Sequence, residues 1–379
     1  MIDKKVLIVF SDYYLPYSPS TLNLFYELKK NKFDVRILAA QPNPDFSLQK
    51  IVDEKIEYVT PVRNDRNVVG RVYDKVVSKV ISKEQLDRKN LMSGLAISFI
   101  KKIGDIEADE IIAVDFFSLW CVQQAGKTAH LLSLEIQEFD PYFNNCNLSK
   151  IKSVLIQTEK RFNHLFRNSV KPPFSILPNS PPLIDFKPDV QGREKFNLVY
   201  CGSAIIEFGI FSCLDFISDF PEYKLTIKGA VPSNTREGIE KYYSELLTSK
   251  RLVINDTYMD ATGLTQFISK FWAGFAFYDF YRFPHLRRFN YYTAPSGKLY
   301  QYFNSGVPVV GNMLEGFTMV DNYNAGKLIS YLSANQIKNA LDYIENDYNE
   351  ISENSKKLSF HFDSASFLQK FIKEFLISN

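Results

Sequence analysis

Short apolar runs alternate with amphipathic stretches through the first half of the chain. Val6 to Phe10 predicts a strand. Ser18-Pro19 then reads as an N-cap with proline at the first helical position, followed by Leu22, Phe25 and Leu28 at helical spacing. Val35 to Ala39 and Ile56 to Val59 predict the next strands. Gln85 to Ile103 sets Leu91, Leu95, Phe99 and Ile103 every fourth residue, an amphipathic helix. Glu110 to Val114, Leu131 to Ile136, Val154 to Gln157 and Phe174 to Leu177 predict further strands with helices between them. Apolar strands alternating with helices imply a parallel sheet covered on both faces.

The punctuation changes at residues 178–194, where four prolines and weak periodicity read as a linker. A second series begins at Phe196. Its strands are predicted at Asn197–Cys201, Lys224–Lys228, Leu252–Ile254, Gly274–Tyr278, Val307–Val310 and Lys327–Ile329. The expected organisation is a first doubly wound domain over 1–180, a linker over 181–195 and a second domain over 196–361. An amphipathic helix over 362–379 follows, carrying Phe367, Phe371 and Phe375 on one face. Two such halves place a cleft between them, and sheets of this kind bind ligands at the carboxyl ends of their strands.

Composition narrows the classes. A chain of 379 residues, 45% apolar and 23% charged, is long enough for two cores. Its net charge of +2 and lack of nucleic-acid motifs give no case for binding DNA or RNA. The four cysteines form no C-x-x-C pair and no disulfide framework. The start runs directly into a strand, unlike a signal peptide, and no window suits a membrane-spanning helix. A cytoplasmic location is expected. The four histidines are scattered, and a structural role is expected for each; no metal-ligand spacing is present, so no metal or other cofactor is expected.

The most informative stretch is Asn290 to Asn312, NYYTAPSGKLYQYFNSGVPVVGN. Ala294 to Gly297 is a turn that opens a helix, with Ser296 as N-cap. Gly297 lets a ligand approach the backbone, and Lys298 adds charge in the first turn. A helix start of this kind suits phosphate. The plainer alternative is an ordinary helix with an exposed lysine.

This stretch resembles the donor-site helix of GT-B glycosyltransferases, especially glycosyltransferase family 4 and related envelope-polysaccharide transferases. Other pieces follow in the same order. Tyr200-Cys201-Gly202-Ser203 resembles the first strand and glycine turn of the donor domain, and Leu225 to Gly229 its second strand. Phe271 to Tyr278 resembles the strand before the donor helix, and Asn324 to Ile329 the closing strand. Ile176 to Ser180 resembles the end of the acceptor domain. The resemblance implies two Rossmann-like domains facing across a cleft, with the C-terminal helix packing back on the first. It implies transfer of a sugar from a nucleotide-diphosphate-sugar to a glycan or lipid-linked glycan, with retention of configuration, in cell-surface polysaccharide synthesis. A GT-B epimerase or hydrolase, or a silent assembly subunit, are the rival readings.

Departures from the family pattern are specific. Thr293 and Gln301 stand where two glutamates are usual. The Arg-and-Lys pair that often follows the first donor-domain strand is missing, with Ile205, Ile206 and Glu207 in its place. Charge for a diphosphate must come from elsewhere. The donor candidates are Gly202, Ser203, Lys228, Tyr258, Tyr278, Arg282, Ser296, Gly297, Lys298 and Gln301; Arg287 and Arg288 share the basic loop of Arg282. In the first domain, Asp12, Glu135 and Glu138 are the candidate catalytic groups, with Asp115 a weaker one. Tyr13 and Asp140 are candidate acceptor contacts. The basic segment Arg71 to Lys102 reads as a solvated helix face or as a peripheral contact with the inner face of the membrane.

Overall fold

The computed structural model describes residues 4–12, 15–41, 51–62, 83–134, 142–184 and 186–377, with Tyr17 and residues 83–91 by backbone alone. The chain divides into unit 1, Met1–Leu177 with Phe367–Asn379, and unit 2, Pro178–Ser366.

Unit 1 holds a parallel sheet of order β3-β2-β1-β4-β5-β6-β7. Its strands are β1 Lys5–Phe10, β2 Asp34–Ala40, β3 Ile56–Val59, β4 Glu110–Val114, β5 Ala129–Ser133, β6 Ile151–Ile156 and β7 Phe174–Ile176. Strands β4 and β5 are buried at every position, as required of strands covered on both faces. The covering helices include α1 Pro19–Lys30, α2 Lys83–Asp105, α3 Asp115–Gln124 and α4 Glu159–Leu165. Strand β5 stops at Ser133, short of the expected Ile136, and residues 135–140 lie outside the described residues. Strand β6 starts earlier than expected, because Ile151 already pairs with Ala129.

The end of the chain completes this core. Leu368, Phe371, Ile372 and Leu376 are at most 1% exposed and pack with Phe25, Leu28 and Ile8. Lys4 Nζ donates to the Leu376 carbonyl at 2.8 Å, and Gln369 donates to Glu27. Beneath Phe371 lies a buried polar cluster at the start of β4 and within β5 and β6. His130 contacts Glu110 through Nε2 at 3.1 Å and Ser153 through Nδ1 at 2.7 Å, and its ring meets Phe371 edge-on. Burial pushes the Glu110 carboxyl up, but hydrogen bonds from His130 and Lys152 outweigh it and hold the group down to about 2. Ser153 is fully buried, so this Ser-His-Glu array is a structural network rather than a nucleophilic site.

Unit 2 holds a parallel sheet of order β10-β9-β8-β11-β12-β13. The strands are β8 Asn197–Cys201, β9 Lys224–Lys228, β10 Leu252–Asn255, β11 Ala273–Ala276, β12 Val309–Asn312 and β13 Gly326–Ile329. Its helices include α5 Ile210–Asp219, α6 Ser233–Tyr242, α7 Ser244–Thr248, α8 Ala261–Ile268, α9 Phe289–Thr293 and α10 Gly297–Ser305. The series continues with α11 Met319–Asn322, α12 Ala334–Asn346 and α13 Tyr348–His361. Strand β12 begins at Val309 rather than Val307, because Pro308 has no N–H to give to the ladder.

Candidate functional site

In unit 2 the strand order reverses between β8 and β11. Their carboxyl ends diverge into loops on opposite sides, which opens a crevice there. Strand β8 ends at Cys201 and passes into Gly202, whose φ of +106° suits glycine. The Gly202 N–H donates to the Lys228 carbonyl at 2.8 Å. A Cβ on Gly229 would lie 2.4 Å from the Gly202 oxygen, so the turns after β8 and β9 meet backbone to backbone. The chain then runs through Ser203, exposed, to a short 3-10 turn at Ile206–Phe208. The Asp279 N–H donates to the Glu207 carbonyl at 2.8 Å, and Gly209 lies against Phe277. These contacts clamp the 202–209 turn to the end of β11.

Helix α10 aims its amino end at this turn. The Ser296 hydroxyl accepts from the Lys298 N–H at 3.4 Å as N-cap. One turn later Tyr302 lies flat on Gly274, accepts from the Cys201 N–H at 2.9 Å and donates to the Phe275 carbonyl at 2.9 Å. The helix is thus pinned to β8 and β11, and Lys298 is carried to the glycine turn. The nearest atom to a Cβ built on Gly202 is Lys298 Cε, at 3.4 Å. The ammonium sits 5.1 Å from the Tyr200 ring centre and 5.0 Å from that of Phe208. No carboxylate among the described residues forms an ion pair with it. Burial pushes its pKa down to about 8. A cation in the first turn of a helix also opposes the helix dipole. Lys298 is therefore desolvated, unpaired and at the unfavourable end of its helix, a combination that an arriving anion would relieve.

The other end of α10 is satisfied throughout. Arg193 donates through Nη2 to the Ser305 carbonyl at 3.0 Å and through Nη1 to the Gly306 carbonyl at 2.8 Å. Its remaining bonds reach Tyr348, Ser352 and the Ser269 carbonyl.

No protein-family model and no curated protein matches the sequence. Solved structures do match over essentially the whole chain. Anabaena HepE in complex with UDP-glucose aligns with a TM-score of 0.70 at 11% identity, covering 99% of this chain and 100% of that one. Sucrose-phosphate synthase from Thermosynechococcus elongatus aligns at 0.71 with 14% identity and the same coverage. The pneumococcal O-GlcNAc transferase GtfA, in complex with UDP and GlcNAc, aligns at 0.66 with 12% identity, covering 100% of both chains. The chain has the GT-B fold.

Within that GT-B architecture the expected site residues separate into groups. Gly202 and Lys298 meet at the glycine turn, with Ser203 next to the first in the chain and Ser296 and Gly297 just before the second. A Cβ built on Gly297 would make only ordinary contact with Asn179, a residue absent from the expected set. Lys228 is buried, and it donates to Asn255 Oδ1 at 3.0 Å and to the Thr257 carbonyl, holding the loop that carries Tyr258. Burial pushes its pKa down. Tyr258 is 54% exposed on that loop. Gln301 is buried and donates to Thr265 Oγ1 at 3.1 Å, while the Thr293 hydroxyl donates to the Phe289 carbonyl at 2.7 Å. Tyr278 is buried against Phe208, Phe280, Tyr291 and Phe317. Arg282 is committed to two carboxylates, Asp215 at 3.1 Å and Asp279 at 3.2 Å. Its charge is already balanced, which separates it from Lys298.

In unit 1, Asp12 is exposed beyond the end of β1. Tyr13, Glu135, Glu138 and Asp140 lie outside the described residues, as do residues 71–82 of the basic segment Arg71 to Lys102, whose remainder belongs to α2. Asp115 has a φ of +58° at the end of β4 and accepts from the Leu134 N–H at 2.8 Å. Glu207 enters the sequence reading only as a departure from the family pattern; in the fold its Oε2 is buried without a hydrogen-bond partner. Among the described residues, no group of three or more His, Cys, Asp or Glu could hold a metal, and no helix is long and apolar enough to cross a membrane.

Proposed function

We propose that this chain is a glycosyltransferase. It moves a sugar from a nucleotide-diphosphate-sugar to a glycan or lipid-linked glycan, retaining configuration, in cell-surface polysaccharide synthesis. The observation that carries the reading is Lys298, an unpaired, desolvated cation at the start of α10 against the Gly202 turn. Breaking the bond between the donor sugar's anomeric carbon and the phosphate oxygen leaves growing negative charge on the departing diphosphate. A preorganised ammonium and helix dipole stabilise that charge without the cost of rearranging water. The solved structures of the same fold that hold UDP or UDP-glucose support UDP as the nucleotide to try first.

On this reading, residues 196–361 bind the donor and residues 1–180 the acceptor. Ser203, Ser296 and Gly297 line the diphosphate beside Lys298, which makes a metal unnecessary. Tyr258 covers the base, and Gln301 serves the ribose. Asp12, Tyr13, Glu135, Glu138 and Asp140 belong to the acceptor side, at the inner face of the membrane.

A thermal-shift titration with UDP and UDP-sugars tests the donor assignment, because a ligand bound only by the folded state raises Tm. UDP is expected to raise Tm, and Lys298→Ala to weaken its binding about tenfold or more, the range for a charged hydrogen bond. If no nucleotide shifts Tm, the reading fails.

A further inference from the structure

Around the crevice, most acidic side chains already have partners. Asp279 and Asp215 share Arg282, and Asp256 pairs with Arg236 at 3.6 Å. Glu207 differs. It forms no ion pair among the described residues, and its Oε2 is the only carboxylate oxygen there that is buried with no hydrogen-bond partner. Its position is nonetheless fixed. The main-chain oxygen is held by Asp279, and Gly209, at φ +72°, closes the turn against Phe277. The next residue, Phe208, carries the ring that lies 5.0 Å from the Lys298 ammonium.

One turn therefore carries a carboxylate oxygen lacking a donor, one residue before the ring that faces a cation lacking an anion, and the two do not pair with each other. A single ligand would complete both if it joined a phosphate to a hydroxyl-bearing group. We propose that Glu207 selects the donor sugar, its carboxylate accepting a hydroxyl hydrogen of the sugar whose phosphate lies on Lys298. This rests on the donor reading above. It assigns sugar recognition to the turn after β8, since Thr293 and Gln301 already donate to Phe289 and Thr265.

Calorimetric titration of UDP, UDP-glucose, UDP-galactose and UDP-N-acetylglucosamine into the wild-type chain and Glu207→Gln tests this. In the wild type at least one UDP-sugar should bind more tightly than UDP. In Glu207→Gln the Kd for UDP should stay within about twofold, while the advantage of that sugar falls about tenfold or more. Binding of UDP-deoxysugars to the wild type needs no variant: removing the one hydroxyl that Glu207 accepts should cost a similar factor. A sugar advantage that survives in Glu207→Gln and in every deoxysugar overturns the proposal and leaves the donor reading intact. The proposal also falls, with the donor reading standing, if no sugar improves on UDP or if Glu207→Gln weakens UDP equally. Absence of UDP binding to the wild type removes the donor reading and this one together.

Discussion

The two ends of α10 each carry a cation, Arg193 buried and Lys298 half-buried, and they are opposite in character. Arg193 meets the carboxyl end, where a positive charge agrees with the helix dipole, and its donors go to three carbonyls and two hydroxyls. Lys298 stands at the amino end, against the dipole, over two aromatic rings and without a counter-ion. The first arrangement stabilises the fold. The second costs stability, and such costs persist where a site needs the group ready for a ligand. The contrast separates a residue that builds the site from one that works in it, though both are basic and near the same helix.

Substitutions at each end test this contrast. Arg193→Ala should have the largest effect. It leaves the Ser305, Gly306 and Ser269 carbonyls without their donor and opens a cavity beside the Trp272–Tyr348 stack. A loss of about 3–5 kcal/mol is expected in urea denaturation, comparable to breaking a buried charged network. Arg193→Lys should not rescue it, because one ammonium cannot reproduce the fork. A mild loss would mean the carboxyl end of α10 is held by other contacts.

Lys298→Met should move stability the other way. A fall in pKa from 10.5 to about 8 corresponds to about 3 kcal/mol. The rings return part of this, so a gain of about 1–2 kcal/mol is expected. The pH dependence follows from the sign. Between pH 8 and 10.5 the unfolded chain holds a proton that the folded chain has released, so the contribution of Lys298 to stability rises with pH there. The wild-type minus Lys298→Met difference in stability should shrink across that window. A destabilised Lys298→Met variant would show instead that the rings over-compensate for burial.

Gly202→Ala should have an effect no larger than that of Lys298→Met, in the opposite direction. The new methyl faces a φ of +106° and sits 3.4 Å from Lys298 Cε, at the flexible side chain rather than against backbone. About 1–2 kcal/mol of strain is expected, with weaker UDP binding as the lysine is displaced. Unchanged UDP affinity would detach Lys298 from the glycine turn.

Much of the fold is legible in the residues themselves. Strands such as Val6–Phe10 and Asn197–Cys201 stand out as local apolar runs, and the turn Ala294–Gly297 by its cap chemistry. Which side chains partner which is not legible there. Arg193 lies in a proline-rich stretch that reads locally as a linker, yet its acceptors lie 76 to 159 residues away. Arg282 resembles a phosphate ligand until Asp215, 67 residues earlier, is seen beside it. The importance of Lys298 and Glu207 comes from missing partners, and periodicity carries no trace of an unmet hydrogen bond.

The return of Leu368, Phe371, Ile372 and Leu376 into the core of unit 1 also bears on how the chain is made. A ribosome delivers these four side chains only after the whole of unit 2 has been synthesised. Unit 2, though translated later, is contiguous and can close its core first. Unit 1 must wait with an apolar groove open beside α1, which makes the nascent chain's longest-exposed apolar surface the one built from its earliest residues.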